Sequence, residues 1–240
     1  MFHIFLYTHS SENYFHEVRM IQLKNIAKSY VSRWEAVELF TDLSWKIEEG
    51  AWVALMGASG AGKSSLLSMI AGIIPPDRGS ILLADRDITS FSQDEMTSYR
   101  GKHIAFIFQA FELIPNLTVE ENIDLVLDIS HAPRRYETDE ILEKVGLRGK
   151  GMRYTSELSW WEQQRVAIAR AFVSRVPYLF ADEPTGNLDE KNALKIMELI
   201  RTLHEETKNT IIMITHDSWI ASHADSIYRL SWWVLTLEKK

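Results

Sequence analysis

The run Gly57-Ala58-Ser59-Gly60-Ala61-Gly62-Lys63-Ser64 fits the spacing G-x-x-x-x-G-K-[ST] without a mismatch, and Ser65 continues it. Its residue types define a chemistry. Glycines allow backbone conformations that aim successive N–H groups at phosphate oxygens, and a helix starting behind the run adds the positive end of its dipole. Lys63 would then neutralise β- and γ-phosphates, and the Ser64 hydroxyl would ligate Mg²⁺. A second group lies far along the chain, where Tyr178-Leu179-Phe180-Ala181 runs into Asp182-Glu183. Asp182, at the end of an apolar strand, can reach the same metal, and Glu183 points the other way along an extended chain, where it can orient or activate an attacking water. Taken singly, a flexible Gly/Ser turn and an ordinary strand end are the plain alternatives. Together the two groups describe a nucleoside triphosphate site.

Such a site needs elements to hold it. Ala51–Met56 is a nearly continuous apolar run ending at Gly57, and Lys63–Ala71 has helical character with a stop near Gly72, so the phosphate loop sits between strand and helix. Short β-like runs at Ile21–Leu23, Leu43–Ile47, Ser80–Ala84, His103–Phe108, Tyr178–Ala181 and Thr210–Ile214 alternate with helical stretches. The helices are expected at Leu117–Ile129, Tyr136–Val145 and Glu162–Ser174, and along a longer segment where Ala193, Ile196, Met197, Ile200 and Leu203 share one face. This alternation predicts an α/β fold: a P-loop NTPase core with a mainly parallel sheet, an antiparallel β portion and an inserted helical subdomain over about 110–175. The division expected is an N-terminal extension over 1–19, an ATPase domain over 20–230 and a C-terminal tail over 231–240. Residues 1–19 lack the basic start and the length of an export signal or membrane span. They are open between an upstream extension, a mis-assigned start and a short attachment segment, and a frayed tail is the plain reading.

Composition narrows the partners. The 240 residues carry 26 Lys plus Arg against 33 Asp plus Glu, a net charge of −7, which is the wrong sign for a generic nucleic-acid or anionic-membrane binder. With no cysteine there is no disulfide framework and no thiolate chemistry.

From about Met20 to Leu230 the sequence resembles the nucleotide-binding subunits of ATP-binding-cassette (ABC) transporters. Gln109 follows its strand as the Q-loop glutamine does, Leu158-Ser159 opening Glu162–Ala171 resembles the signature segment, Asp182–Asp189 matches the acidic strand end and D-loop, and Thr215-His216-Asp217 matches the switch histidine. The stretch Phe108–Asn122 most resembles the subfamily serving lipoprotein release, macrolide-type export and cell division. The resemblance implies ATP and Mg²⁺ as cofactors, with Tyr30 stacking on adenine. Gln109 would sense the metal and the lytic water, beside Ser64 and Asp182 as metal ligands. Glu183 and His216 would act at the γ-phosphate, with Asn187, Leu188 and Asp189 in the D-loop. It also implies a head-to-tail homodimer around two ATPs, each met in trans by Leu158, Ser159, Trp160, Trp161 and Glu162. The expected partner is an integral-membrane permease, the location the inner face of the cell membrane, reached from the cytoplasm, and no nucleic acid is expected.

One departure stands out. The family signature reads L-S-G-G, and here Trp160-Trp161 replace both glycines. Those glycines bring backbone N–H groups to the phosphate held by the opposite subunit, so two indoles imply either a steric block or a rearranged helix start, and a weakened ATP dimer. The tripeptide recurs as Ser231-Trp232-Trp233, where the pattern suits a glycine-containing hairpin turn. Whether one cause, natural, engineered or an error of record, underlies both pairs stays open. Two rivals to a transport ATPase follow: an ATP-binding regulatory module with impaired hydrolysis, favoured by the Trp pair, and a soluble ABC protein of DNA repair or translation, disfavoured by the acidic charge and the single cassette.

Overall fold

The computed structural model describes residues 19–31, 36–231 and 234–240. The expectations for residues 1–18 and for Trp232-Trp233 lie outside the described residues.

The strands with continuous apolar runs form the centre of the molecule. β3 (Trp52–Met56) and β8 (Thr210–Ile214) are buried along their whole length, as is β7 (Tyr178–Asp182) up to its last residue. Strands covered on both faces have no solvent side, so they show no alternation. Together with β6 (Ile104–Phe108), β9 (Ser226–Ser231) and β10 (Val234–Lys239) they make a six-stranded sheet in the order β10-β9-β3-β8-β7-β6. All its neighbouring pairs are parallel except the β9–β10 hairpin. A second, four-stranded antiparallel sheet has the order β2-β1-β4-β5, built from β1 (Ile21–Val31), β2 (Ala36–Ile47), β4 (Arg78–Leu83) and β5 (Arg86–Asp87). Between the sheets, one core gathers Ile21, Leu23, Phe40 and Trp45 with Val53 and Leu55 and the buried face of α1 (Lys63–Ile70).

A second core lies on the other face of the parallel sheet. It is filled by α3 (Val119–Ser130), α4 (Thr138–Lys144), α5 (Trp160–Phe172) and α6 (Glu190–Thr207). On α6 the buried residues are Ala193, Ile196, Met197, Ile200 and Leu203, the stripe the sequence spacing predicts.

Two expectations need correction. His103 does not open a strand: it closes an unforeseen helix, α2 (Gln93–His103), and β6 begins one residue later. The helix is set by a capping box in which the Ser92 amide donates to Glu95 Oε2 at 2.8 Å and the Glu95 amide donates to Ser92 Oγ at 3.3 Å. Residues 234–239, placed in a tail, instead form β10, held to β9 by the ladder and by Arg229 Nη2 donating to Glu238 Oε2 at 3.1 Å. A short α7 (Ser218–Ala221) was also unforeseen; Asp217 caps it through the Trp219 and Ile220 amides at 2.7 and 3.3 Å.

Candidate functional site

β3 delivers the chain to Gly57 at the C-terminal edge of the parallel sheet. Gly57 has φ 152°, and a Cβ there would collide with the Leu230 carbonyl oxygen on the neighbouring β9, so the turn off the strand requires glycine. The loop then winds through Ala58, Ser59, Gly60 and Ala61, with the Ala61 amide donating to Ala58 O at 3.2 Å. It ends at Gly62, the N-cap of α1, whose left-handed φ of 91° turns the chain into the helix. Lys63 curls back over this loop: its ammonium donates to Gly57 O at 2.9 Å and Ala58 O at 2.8 Å. The one cation of the loop therefore lies over the concavity formed by its own backbone.

The acidic pair reaches the same edge from β7. The Ser64 hydroxyl donates to Asp182 Oδ2 at 3.1 Å, closing a sequence gap of 118 residues. Burial pushes the Asp182 carboxyl above its usual range, with the Glu183 charge adding to the rise, while the Ser64 bond and Lys63 oppose it. Glu183 leaves the strand with φ 48°, a left-handed conformation that is uncommon for a side-chain-bearing residue, and its amide donates to Ile214 O of β8 at 3.0 Å. The turn aims its carboxylate sideways, where Oε1 lies 2.8 Å from His216 Nδ1. That contact raises the His216 pKa, although the ring is 76% exposed.

Gln109 arrives from the end of β6. Its backbone carbonyl accepts from Asn187 Nδ2 at 2.8 Å, and Gly186 is close enough that a Cβ would sit 2.8 Å from Gln109 Nε2. The chain after it is held in two consecutive left-handed residues, Phe111 (φ 61°) and Glu112 (φ 48°), by the Arg170 guanidinium, which donates to their carbonyls at 2.7 and 2.5 Å. Leu188 packs on the core of the helical side, and Asp189 caps α6 through the Asn192 amide at 3.0 Å.

These pieces enclose a cleft of about 660 Å³ whose wall includes Tyr30, Ser59, Gly60, Gly62, Lys63, Ser64, Ser65, Gln109, Asp182 and Glu183. Tyr30 stands on the wall supplied by the antiparallel sheet, 42% exposed, with Lys28 Nζ 5.6 Å from its ring centre. The hard oxygen donors Ser64 and Asp182, already facing each other, suit Mg²⁺, and the loop amides with Lys63 suit phosphate. The residues present therefore fit Mg-ATP. Among the described residues no cluster of His, Asp and Glu suggests another metal.

The segment 158–162 is not in the cleft wall. Leu158 is buried, Ser159 is the N-cap of α5, and the helix starts at Trp160. The Ser159 amide and hydroxyl donate to Glu162 Oε2 at 2.9 and 2.6 Å, and Lys150 pairs with Glu162 Oε1. Trp161 stacks against the Arg165 guanidinium at 3.9 Å, with Lys195 Nζ of α6 at 5.5 Å from the same ring. Trp160 is 63% exposed, touching Phe111 edge to face at 5.5 Å. The sequence places Arg170 and Gln164 in the signature-like segment but gives neither a contact: Arg170 shapes the chain beyond Gln109, and Gln164, fully buried on α5, donates to Pro184 O at 2.5 Å. An amide and an arginine on the inner face of an otherwise apolar helix were the available signals.

A family profile described as ABC transporter matches residues 40–186. The chain is 38% identical over 218 residues to the ABC transporter ATP-binding protein YtrE of Bacillus subtilis, covering 88% of this chain and 94% of that one. It is likewise 38% identical over 215 residues to the lipoprotein-releasing system ATP-binding protein LolD of Syntrophotalea carbinolica, covering 88% and 95%. Among solved structures, the dimeric post-hydrolysis state of the ATP-binding cassette MJ0796 bound to ADP and Pi matches with a TM-score of 0.81 at 33% identity, covering 92% of this chain and 99% of that one.

Proposed function

The chain belongs to the ABC transporter family as an ATP-binding subunit coupling ATP hydrolysis to a membrane permease, and from that premise we propose how its own residues do the work. The observation that carries the reading is the Ser64–Asp182 contact, which joins the phosphate loop to the acidic strand end within one cleft. The loop amides from Gly57 to Ser65 would cradle the phosphates, and Lys63 would exchange its two backbone carbonyls for phosphate oxygens, so the loop is already folded around the shape it must hold. Tyr30 offers an aromatic face to the base. Ser64, Asp182 and Gln109 would hold Mg²⁺. When bound, the metal supplies positive charge against the negative charge on the transferring phosphoryl group. Glu183 would take the proton of the attacking water at a carboxylate oxygen, while His216, now its partner, would turn to the γ-phosphate. Asn187 would keep Gln109 in register through the backbone bond it already makes.

Pairing with a permease is supported by an apolar groove of about 650 Å³ between α2, α3 and β6, which shares Phe108 and Glu112 with the wall of the nucleotide cleft. A permease segment seated there would touch the same chain that carries Gln109. No helix among the described residues is long and apolar enough to cross a membrane, so attachment at the inner face would run through that partner.

A second reading is favoured by one observation, the exposed Trp160 at the start of α5: a regulatory ATP-binding module in which dimer closure, and hence turnover, is weak. Steady-state ATP hydrolysis with and without the co-purified membrane partner separates them. Coupled transport predicts turnover that responds to the partner; a module predicts tight ATP binding with negligible turnover in both conditions.

A further inference from the structure

Gln109 enters the nucleotide cleft from a turn that is held on its far side. Phe108, Gln109, Ala110 and Phe111 make the turn, closed by the Phe111 amide donating to Phe108 O at 3.3 Å, and the Glu112 amide then donates to Ala110 O at 2.7 Å. Phe111 and Glu112 are both left-handed, with φ of 61° and 48°, a conformation that a Cβ disfavours and that two bulky neighbours seldom adopt together. Something must hold it.

Arg170 on α5 supplies the hold. Its Nη2 donates to Phe111 O at 2.7 Å and its Nη1 to Glu112 O at 2.5 Å, so two arms of one planar group take two successive carbonyls. The helix beneath it is fixed, because Val166, Ala167, Ile168 and Ala169 just before it are fully buried. Among the described residues no carboxylate lies within ion-pair distance of the guanidinium. Burial lowers its pKa, with the Glu112 charge opposing. A cation drawn out of water in this way depends on the carbonyl oxygens it meets.

Arg170 lines the apolar groove between α2, α3 and β6, whereas Phe108, Gln109, Ala110 and Glu112 are in the wall of the nucleotide cleft. It therefore reaches the turn from outside the cleft. The neighbouring anchors do not need it: Asn187 holds Gln109 O at 2.8 Å, and the buried Asn122 accepts from the Ile114 amide at 2.8 Å and donates to Thr118 O at 2.9 Å. Loss of the guanidinium frees residues 111–112 and leaves the chain on either side anchored.

We propose that Arg170 is a positioning residue for Gln109: by bonding Phe111 and Glu112 it keeps the turn closed and so fixes where the Gln109 amide stands in the nucleotide cleft. This role rests on Gln109 meeting Mg²⁺, which its place in one wall with Ser64 and Asp182 supports. The fork matters as well as the charge, since Arg170→Lys keeps the charge but offers a single nitrogen in place of a planar pair.

The test measures ATP binding to the full chain by calorimetry, without metal and with Mg²⁺, for the parent, Arg170→Lys, Gln109→Ala and the double variant. Arg170→Lys is expected to leave metal-free affinity near the parent's and to cut the gain from Mg²⁺ by about tenfold, the scale on which a metal ligand's supporting partner acts. Gln109→Ala should cut the gain by as much or more, and the double variant no further, because Arg170 acts through Gln109. In Arg170→Ala, added ethylguanidinium, reaching the position through the groove, should restore the gain saturably, and ethylammonium should not. If Gln109→Ala leaves the gain intact, Gln109 does not meet the metal and the role of Arg170 falls with it. If Gln109→Ala lowers the gain while Arg170→Lys does not, or if the two losses multiply in the double variant, the role of Arg170 is overturned and that of Gln109 stands. A parallel fall in metal-free affinity, or equal rescue by both ions, would reduce Arg170 to a general support of the fold or a bare charge and overturns it too.

Discussion

At the scale of single residues, the site sorts into groups that hold the nucleotide and groups that act on it. Lys63 makes two bonds to loop carbonyls in the free chain, so removing it deletes the charge for phosphate while the glycine turns remain. Lys63→Ala is expected to weaken Mg-ATP by about 10–100-fold, the equivalent of one charge-assisted contact. Asp182→Asn should leave ATP binding in the absence of metal near its original strength and abolish the gain from Mg²⁺, because Asp182 faces Ser64 across the position suited to the metal. Calorimetric titrations with and without Mg²⁺ check both, and unchanged Mg-ATP affinity in the two variants would refute the assignment. Glu183 differs in kind. Its left-handed backbone and its contact with His216 hold a carboxylate off the end of β7. Glu183→Gln keeps shape and hydrogen bonding but removes the base, so binding should persist while single-turnover hydrolysis falls by about 10²–10⁴. Single-turnover rates equal to the parent would show that another group takes the proton.

At the scale of elements, the start of α5 rests on one carboxylate. Glu162 pairs with Lys150 and accepts from the Ser159 hydroxyl and amide, which together, Lys150 foremost, hold its pKa at about 2, below the ordinary 4.5. A depressed carboxylate contributes stability that is complete above its unfolded value and is lost as pH falls through the folded one. Glu162→Gln keeps an acceptor for the cap and loses the ion pair, so it should destabilise the protein by about 0.5–1 kcal/mol at pH 7, since Lys150 remains partly solvated. The gap from wild type, followed by denaturant unfolding, should be constant above pH 4.5 and narrow toward pH 2; a gap that does not depend on pH would locate the effect in packing. The same element shows what was legible beforehand. Strands such as β3, β7 and β8 announced themselves because burial on both faces leaves an unbroken apolar run. The stripe on α6 and the turn glycines did likewise. The helix α2 was missed because its polar sequence buries only Met96 and Tyr99, a single i, i+3 pair too short to read as a stripe, and its one clear signal was the Ser92–Glu95 box. β10 was missed because it is mostly exposed and held by backbone pairing with β9. In the site, motifs point to individual residues, whereas the contacts of Arg170 and Gln164 and the Asn187–Gln109 bond are long-range and not encoded in spacing.

At the scale of the whole molecule, the question is how two copies would meet. The solved relatives include dimeric cassettes, and in a head-to-tail pair the start of α5 would approach the nucleotide in the partner's cleft. Nothing at that helix start disturbs the chain's own cleft, since Trp160 and Trp161 are absent from its wall. Nucleotide affinity of the single subunit should therefore survive. The two indoles are not equivalent. Trp161 is engaged with Arg165 and Lys195, contacts worth about 0.5–2 kcal/mol that keep its ring between α5 and α6. Among the described residues Trp160 has one ring contact, edge to face with Phe111, and is 63% exposed, so under the proposed head-to-tail pairing it is the ring open to a partner subunit. Intruding a large group on a close contact costs about 1–3 kcal/mol per site, and a two-fold dimer meets the cost twice. ATP-dependent dimerisation of the Glu183→Gln protein should accordingly be weak and should strengthen by at least about tenfold when Trp160→Gly is added. Trp161→Gly alone should help less and should lower the melting temperature by unpinning α5 from α6. Intact mass would first confirm both tryptophans, and sedimentation velocity with and without ATP would then compare the three proteins. If the glycine versions dimerise no better, and hydrolyse no faster once Glu183 is restored, Trp160 does not obstruct closure and the turnover of this cassette must be limited elsewhere.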